Sequence, residues 1–175
     1  ELRPFLVENN SILSDSPAQF FYSRRIGGLP LRLPGYDAIA LPEYTRILGA
    51  AALGGYLDRD TRIAALAAVS DTASAPALIG ARETSLVVSP LTGWGVARVE
   101  HQIGASVIGA MATTVVRAER DTDLESILPS TALTGGLDAK LRTADRAWEL
   151  APYVGFSSLF GGSDAIASTE EDSTH

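Results

Sequence analysis

Thr131-Ala132-Leu133-Thr134-Gly135-Gly136-Leu137-Asp138-Ala139-Lys140-Leu141-Arg142 is the stretch whose reading decides the fold. Its odd positions, Leu133, Gly135, Leu137, Ala139 and Leu141, are apolar or small, while Thr134, Asp138, Lys140 and Arg142 share the other parity. Side chains on an extended strand alternate between two faces, so a period of two predicts a strand with one dry and one wet face.

Trp148 to Phe160 repeats the pattern. Trp148, Leu150, Val154, Phe156 and Phe160 fall on one parity and Glu149, Tyr153 and Ser157 on the other, which predicts a hairpin turning at Thr143 to Arg146. Val96 to Ile103 sets Arg98, Glu100 and Gln102 against Ala97, Val99 and Ile103, then turns at Gly104-Ala105 into Ser106 to Arg117. Ile47 to Leu57 and Arg62 to Val69 suit a third hairpin around Asp58-Arg59-Asp60. There the Ala-rich text suits a helix equally, with Asp60 as its N-cap, and the residues alone leave both readings open for Thr61 to Ser70.

Residues 1–45 read differently. Pro4, Pro17, Pro30, Pro34 and Pro42, interleaved with Gly27, Gly28 and Gly35, fix φ and remove donors too often for long regular elements. The expectation is an irregular segment with one short extended piece at Phe20 to Ser23, followed by antiparallel strands over 46–160 and an acidic tail or loop over 161–175.

Composition sets limits on function. The chain has 175 residues and a net charge of −7, from 21 Asp and Glu against 14 Lys and Arg, so it lacks the basic excess that phosphate backbones demand, and no nucleic-acid partner is expected. It has no Cys, which removes disulfides, thiolate metal sites and Cys nucleophiles. No apolar run is long enough for a membrane-spanning helix. Glu1-Leu2-Arg3-Pro4-Phe5 has neither an initiating Met nor a basic region leading into an apolar one, so the chain is expected to be a mature or excised segment.

Phe20-Phe21-Tyr22-Ser23-Arg24-Arg25-Ile26-Gly27 resembles the FYSRRIG motif of a family of bacterial outer-membrane β-barrel proteins of unassigned function. Further segments match that family in the same order: Arg3-Pro4-Phe5 with Glu8, Ile47 to Ala51, Pro90-Leu91-Thr92 with Val96 to Val99, Ile108 to Met111, Gly135 to Asp138 and Gly162 to Ala167. Departures fall at Asn9-Asn10, Gly28, Ala52 and Gly93. Members of that family commonly carry a carbohydrate-binding module ahead of a barrel resembling TonB-dependent receptors. The resemblance implies an all-β fold made of antiparallel hairpins of a transmembrane β-barrel, about six strands of it in this segment, and it favours a strand over a helix for Thr61 to Ser70. It also implies bacterial outer-membrane localisation, contact with outer-membrane lipid and with the remaining barrel strands or a partner chain, and a glycan or small-solute ligand. A spanning strand needs about 9–11 residues and a barrel about eight strands, so this segment is expected to have open edges. Tyr56, Trp94, Trp148 and Phe160 fall near strand ends, where interfacial aromatic girdles sit.

The candidate ligand-binding residues are Arg24, Arg25, Arg98, Glu100 and Asp138. Arg24-Arg25 offers guanidinium forks for a carboxylate, phosphate or acidic sugar, although neighbours on an extended chain point to opposite faces. Glu100, Asp138 and Glu149 share the lumen parity of three strands and are the candidates for acid–base work on a glycan. His101 and His175 are the only histidines and no G-x-S-x-G elbow is present, so no catalytic residue is assigned. Asp164, Glu170, Glu171, Asp172 and His175 lack the spacing of a Ca²⁺ loop and are expected to be a solvated tail, with no metal and no cofactor implied. Three readings follow: a barrel segment that binds or transports glycans or small solutes, a soluble β-rich binding or assembly module, and a hydrolase using lumen carboxylates. An enzyme is the less favoured class.

Overall fold

A computed structural model describes residues 11–14, 25–30, 37–38, 41–79, 82–118, 124, 128–163 and 165–166. Its longer elements are all strands: β1 (Asp37–Ala38), β2 (Ile47–Tyr56), β3 (Thr61–Ser70), β4 (Ala73–Ile79), β5 (Arg82–Ser89), β6 (Leu91–Ile103), β7 (Ser106–Ala118), β8 (Thr131–Arg142), β9 (Glu149–Leu150) and β10 (Tyr153–Phe160). A one-turn helix, α1 (Ser11–Ser14), precedes them. Every strand pairing is antiparallel.

The main sheet runs β10-β8-β7-β6-β3-β2, with β9 beside β8, and a separate sheet runs β1-β4-β5. The three hairpins expected from the text are present, and the main path has six strands. The main sheet is not closed: β2 and β10 are its two edges among the described residues.

Thr61–Ser70 is a strand, paired on one side with β2 and on the other with β6. Ladder bonds on both sides outweigh the helix preference of alanine. The turn before it is built by Asp58 rather than by an Asp60 cap. Asp58 Oδ1 accepts from the Asp60 and Thr61 backbone N–H groups at 2.9 and 2.7 Å, and Oδ2 accepts from the Thr61 hydroxyl at 2.9 Å. Because that hydroxyl donates to Asp58, it accepts from His101 Nδ1, 2.9 Å away.

Registers align the strands into rows that cross the whole sheet. Leu53, Ala65, Ala97, Ala112, Gly135 and Phe156 form one row; Gly55, Ile63, Val99, Ala110, Leu137 and Val154 form the next on the same face. This outward face carries no Asp, Glu, Lys or Arg among the described strand residues, yet Leu53, Val99, Leu137, Val154 and Phe156 on it are exposed. Gly135 lets the Phe156 ring lie across the sheet, since a Cβ there would stand 2.8 Å from the ring. The opposite, inward face holds every charged side chain of the six strands.

The inward face is covered in part by the N-terminal segment, and a second apolar cluster lies apart from it. Ile12, Leu13 and Ile26 pack on Ala64, Leu66, Ala68, Val96 and Met111, so the N-terminal segment supplies an apolar cover to part of the wall. A second cluster joins Ala75 and Val88 of the small sheet to Leu124 and Leu128, which ties the two long connections, 71–90 and 119–130, to each other. Both long connections leave the same end of the sheet, while the connections 57–60, 104–105 and 143–148 at the other end are short.

Two of the four aromatics expected at lipid interfaces face inward instead. Trp94 pairs across β3 with Ala68 and donates from Nε1 to Ser70 Oγ at 3.1 Å. Tyr56 sits under the Arg62 guanidinium, 5.9 Å from ring centroid to charge. Trp148 and Phe160 are exposed. Phe20 to Ser23 and the acidic residues of the tail lie outside the described residues.

The three hydrogen bonds received by Asp58, first among them the Asp60 N–H, hold its carboxyl below the ordinary value of 3.8. A depressed carboxyl contributes stability that is present above 3.8 and lost as pH falls through its folded value. Asp58→Asn is therefore expected to lower the urea midpoint at neutral pH, with the gap from the parent chain closing only below pH 3.8 in a pH series of denaturation curves.

Candidate functional site

One inward row collects the charges. Tyr56, Arg62, Glu100, Gly109, Asp138 and Tyr153 are register partners across β2, β3, β6, β7, β8 and β10. Arg98 lies one row away, opposite Met111, and its guanidinium reaches back over Gly109. It donates from Nη1 and Nη2 to the two oxygens of Asp138 at 2.7 and 2.8 Å, and from Nε to Glu100 Oε1 at 3.0 Å. Arg62 approaches the other Glu100 oxygen at 3.5 Å.

Strand spacing explains why this needs glycine. β6 and β8 are two strands apart, about 9.5 Å, a gap that Arg and Asp can close only if nothing rises from the strand between them. A Cβ on Gly109 would stand 2.8 Å from Arg98 Nη2 and 3.0 Å from Asp138 Oδ1. The sequence places the one residue without a side chain at the crossing point.

Arg98, Glu100 and Asp138 are all buried, with 3, 6 and 7 % of their surface accessible. Two cations and two carboxylates meet, so the group is close to neutral. Burial of each charge is costly, and the planar fork on Asp138 recovers that cost through paired, charge-assisted hydrogen bonds. Arg62 Nε is buried without a hydrogen-bond partner, a donor that a water or solute oxygen would complete.

Of the five residues picked out from the sequence, the structure brings together Arg98, Glu100 and Asp138. Arg25 lies elsewhere: it is exposed, and its carbonyl accepts from Gly28 N–H at 3.2 Å in a tight turn. Arg24 is outside the described residues. Glu149, the third acid–base candidate, is exposed at the short-turn end and pairs with Arg142 at 2.6 Å, apart from the other two. His101 is exposed on the outward parity at the end of β6, beside Thr61.

The sequence reading missed Arg62, Tyr56 and Tyr153. The usable signal was parity: Arg62 shares the inward phase of Ala64 and Leu66, as Tyr153 shares that of Ser157. Both Asp138 oxygens and one Glu100 oxygen are hydrogen-bonded to Arg98, which suits wall carboxylates better than proton-transfer groups. Among the described residues no three His, Cys, Asp or Glu side chains come together in a way that could hold a metal ion. No protein-family model, curated protein or solved structure matches the chain.

Removing one partner strands a buried charge, and breaking a buried pair costs about 3–5 kcal/mol. Asp138→Ala is expected to lower the unfolding free energy by about that amount. Arg98→Met combined with Asp138→Leu should recover most of it, because the charges that remain, Arg62 and Glu100, are opposite and adjacent. Denaturant titrations of the two variants against the parent chain check both outcomes.

Proposed function

We propose that the chain is a segment of a bacterial outer-membrane β-barrel whose outward face meets lipid and whose inward face lines a polar lumen for glycans or other small solutes. The observation that carries this reading is the distribution of charge over the six-stranded sheet. Its outward face has no Asp, Glu, Lys or Arg among the described residues and exposes Leu53, Val99, Leu137, Val154 and Phe156, whereas Arg62, Arg98, Glu100, Asp138 and Lys140 all lie inward. Exposed apolar surface of this extent is unusual on a monomer in water, and it is the composition that lipid contact requires.

Three further features support the reading. β6, β7 and β8 have 13, 13 and 12 residues, long enough to span a hydrocarbon core when tilted. An open apolar trough of about 720 Å³ crosses the outward face, with Ala65, Ala97, Ala110 and Ala112 on its floor and Leu53, Leu137 and Phe156 on its walls. Short connections at one end and long ones at the other match the short periplasmic turns and longer external loops of outer-membrane barrels. On this reading the small sheet belongs to the external end. The lumen row of Tyr56, Arg62 and Tyr153 supplies aromatic faces and hydrogen-bond donors of the kind that sugars use, and the edges of β2 and β10 pair with the remaining strands or a partner chain.

Far-ultraviolet circular dichroism and sedimentation in plain buffer and in detergent test the proposal. The expected result is a β spectrum with a single sedimenting species only in detergent; a folded monomer in plain buffer would sink it. In lipid vesicles Val99→Lys, on the outward face, is expected to cost about 2–4 kcal/mol of folding free energy, with Thr134→Lys on the inward face costing less. Equal costs at the two positions would assign the outward face to water or to protein.

A further inference from the structure

Among the described residues of the six main strands, His101 is the only titratable side chain on the outward face; the charged strand residues and both strand tyrosines turn inward. Its row runs through Thr61, Ile108 and Ala139. One row farther toward the short turns, Leu141 pairs with the exposed Leu150, and the exposed Trp148 lies beyond. On the lipid reading of this face Trp148 marks the head-group level, and His101 stands within one or two rows of it.

The neighbouring turn decides where the imidazole proton sits. Asp58 Oδ2 lies 2.9 Å from Thr61 Oγ1, a separation that a carboxylate and a hydroxyl oxygen keep only with the hydroxyl proton between them. Thr61 Oγ1 has no second proton, so at its 2.9 Å contact with His101 Nδ1 the ring is the donor. A neutral His101 therefore carries its proton on Nδ1 and leaves Nε2 as an acceptor. Among the described residues nothing donates to Nε2.

His101 also lines an open trough of about 540 Å³, together with Ile108, Ala139 and Pro152. This trough runs into the larger apolar one at Val99, Ala110, Leu137 and Val154. No Lys or Arg lines it among the described residues, and Asp58 sets a negative charge behind the ring. An acceptor without a donor is costly at membrane depth, and such a group marks a site for a partner that brings one.

We propose that this corner selects a lipid with a primary ammonium head group, an ammonium N–H donating to His101 Nε2 while an acyl chain lies in the trough. The inference rests on the lipid reading of the outward face and adds a preferred head group to it. An anionic head finds no cation here, and a quaternary ammonium brings the charge but no N–H to donate.

Phosphatidylethanolamine has the required head, phosphatidylcholine lacks the N–H, and phosphatidylglycerol is anionic. His101 and His175 are the only histidines, so His175→Gln leaves His101 as the sole source of imidazole ¹⁵N resonances. In detergent at about pH 8, where a histidine is neutral, the expected spectrum has the proton on Nδ1. Phosphatidylethanolamine is expected to shift Nε2 saturably, at a lipid fraction about tenfold below that needed with either other lipid. Quenching of the exposed Trp148 by acyl-brominated lipids gives a second reading: the same preference in the parent chain and its loss in His101→Phe.

A proton on Nε2, equal midpoints for phosphatidylethanolamine and phosphatidylcholine, or a preference that survives His101→Phe would overturn the proposal. If the β spectrum is still confined to detergent, such a result leaves the outward face in lipid without a chosen head group. A folded monomer in plain buffer overturns both readings, while the Nδ1 proton, set by Thr61 and Asp58, stays in place.

Discussion

The bidentate bond from Arg98 to Asp138 across Gly109 is the constraint on which the rest of the sheet depends. It joins β6 to β8 over an intervening strand, so three strands must keep one register for the fork to close. A slip of one residue in β8 would turn Asp138 to the charge-free face and leave the buried Arg98 with Glu100 as its one carboxylate. An alanine- and glycine-rich sheet specifies register weakly through packing alone. Here the buried ions supply the specificity that the small side chains lack.

That register then fixes what each face can be. With the inward phase assigned to Arg98, Glu100 and Asp138, strict alternation sends Ala97, Val99, Ala110, Ala112, Leu137 and Phe156 outward. The inward face divides further along the strands. Toward the short turns it is ionic; farther along, Leu66, Val96 and Met111 meet Ile12, Leu13 and Ile26. The N-terminal segment thus covers the apolar part of the wall and leaves the charged row on the other side of it.

Much of this was legible because alternation is a local property. Thr131 to Arg142, Val96 to Arg117 and Trp148 to Phe160 showed their faces in the text, and the structure pairs them as hairpins. β4 and β5 were not legible: Pro76 sits inside β4, and a proline in a run argues against a strand unless one side of it is unpaired, as here, where among the described residues β1 pairs with Ala77 and Leu78 and not with Pro76. Aromatic position misled as well, since nearness to a strand end does not give the face; parity does, and it turns Tyr56 and Trp94 inward. Sequence placed Arg98, Glu100 and Asp138 on one face but could not show that Gly109 lets them meet, because that contact joins residues 40 positions apart.

The edges carry the last step of the argument. Sheets that end in water protect their outer strands with charges, prolines or bulges, because unpaired N–H and C=O groups recruit other strands. β2 reads Ile-Leu-Gly-Ala-Ala-Ala-Leu-Gly-Gly-Tyr and β10 reads Tyr-Val-Gly-Phe-Ser-Ser-Leu-Phe, with no charge and no proline in either. One irregularity near Ile47 is the sole departure from regular pairing in β2. Strands of that composition are suited to neighbours on both sides. The sheet gathers its charges on one face and leaves both outer strands without any, so neither β2 nor β10 carries the charge or proline that usually guards an edge against pairing with another strand.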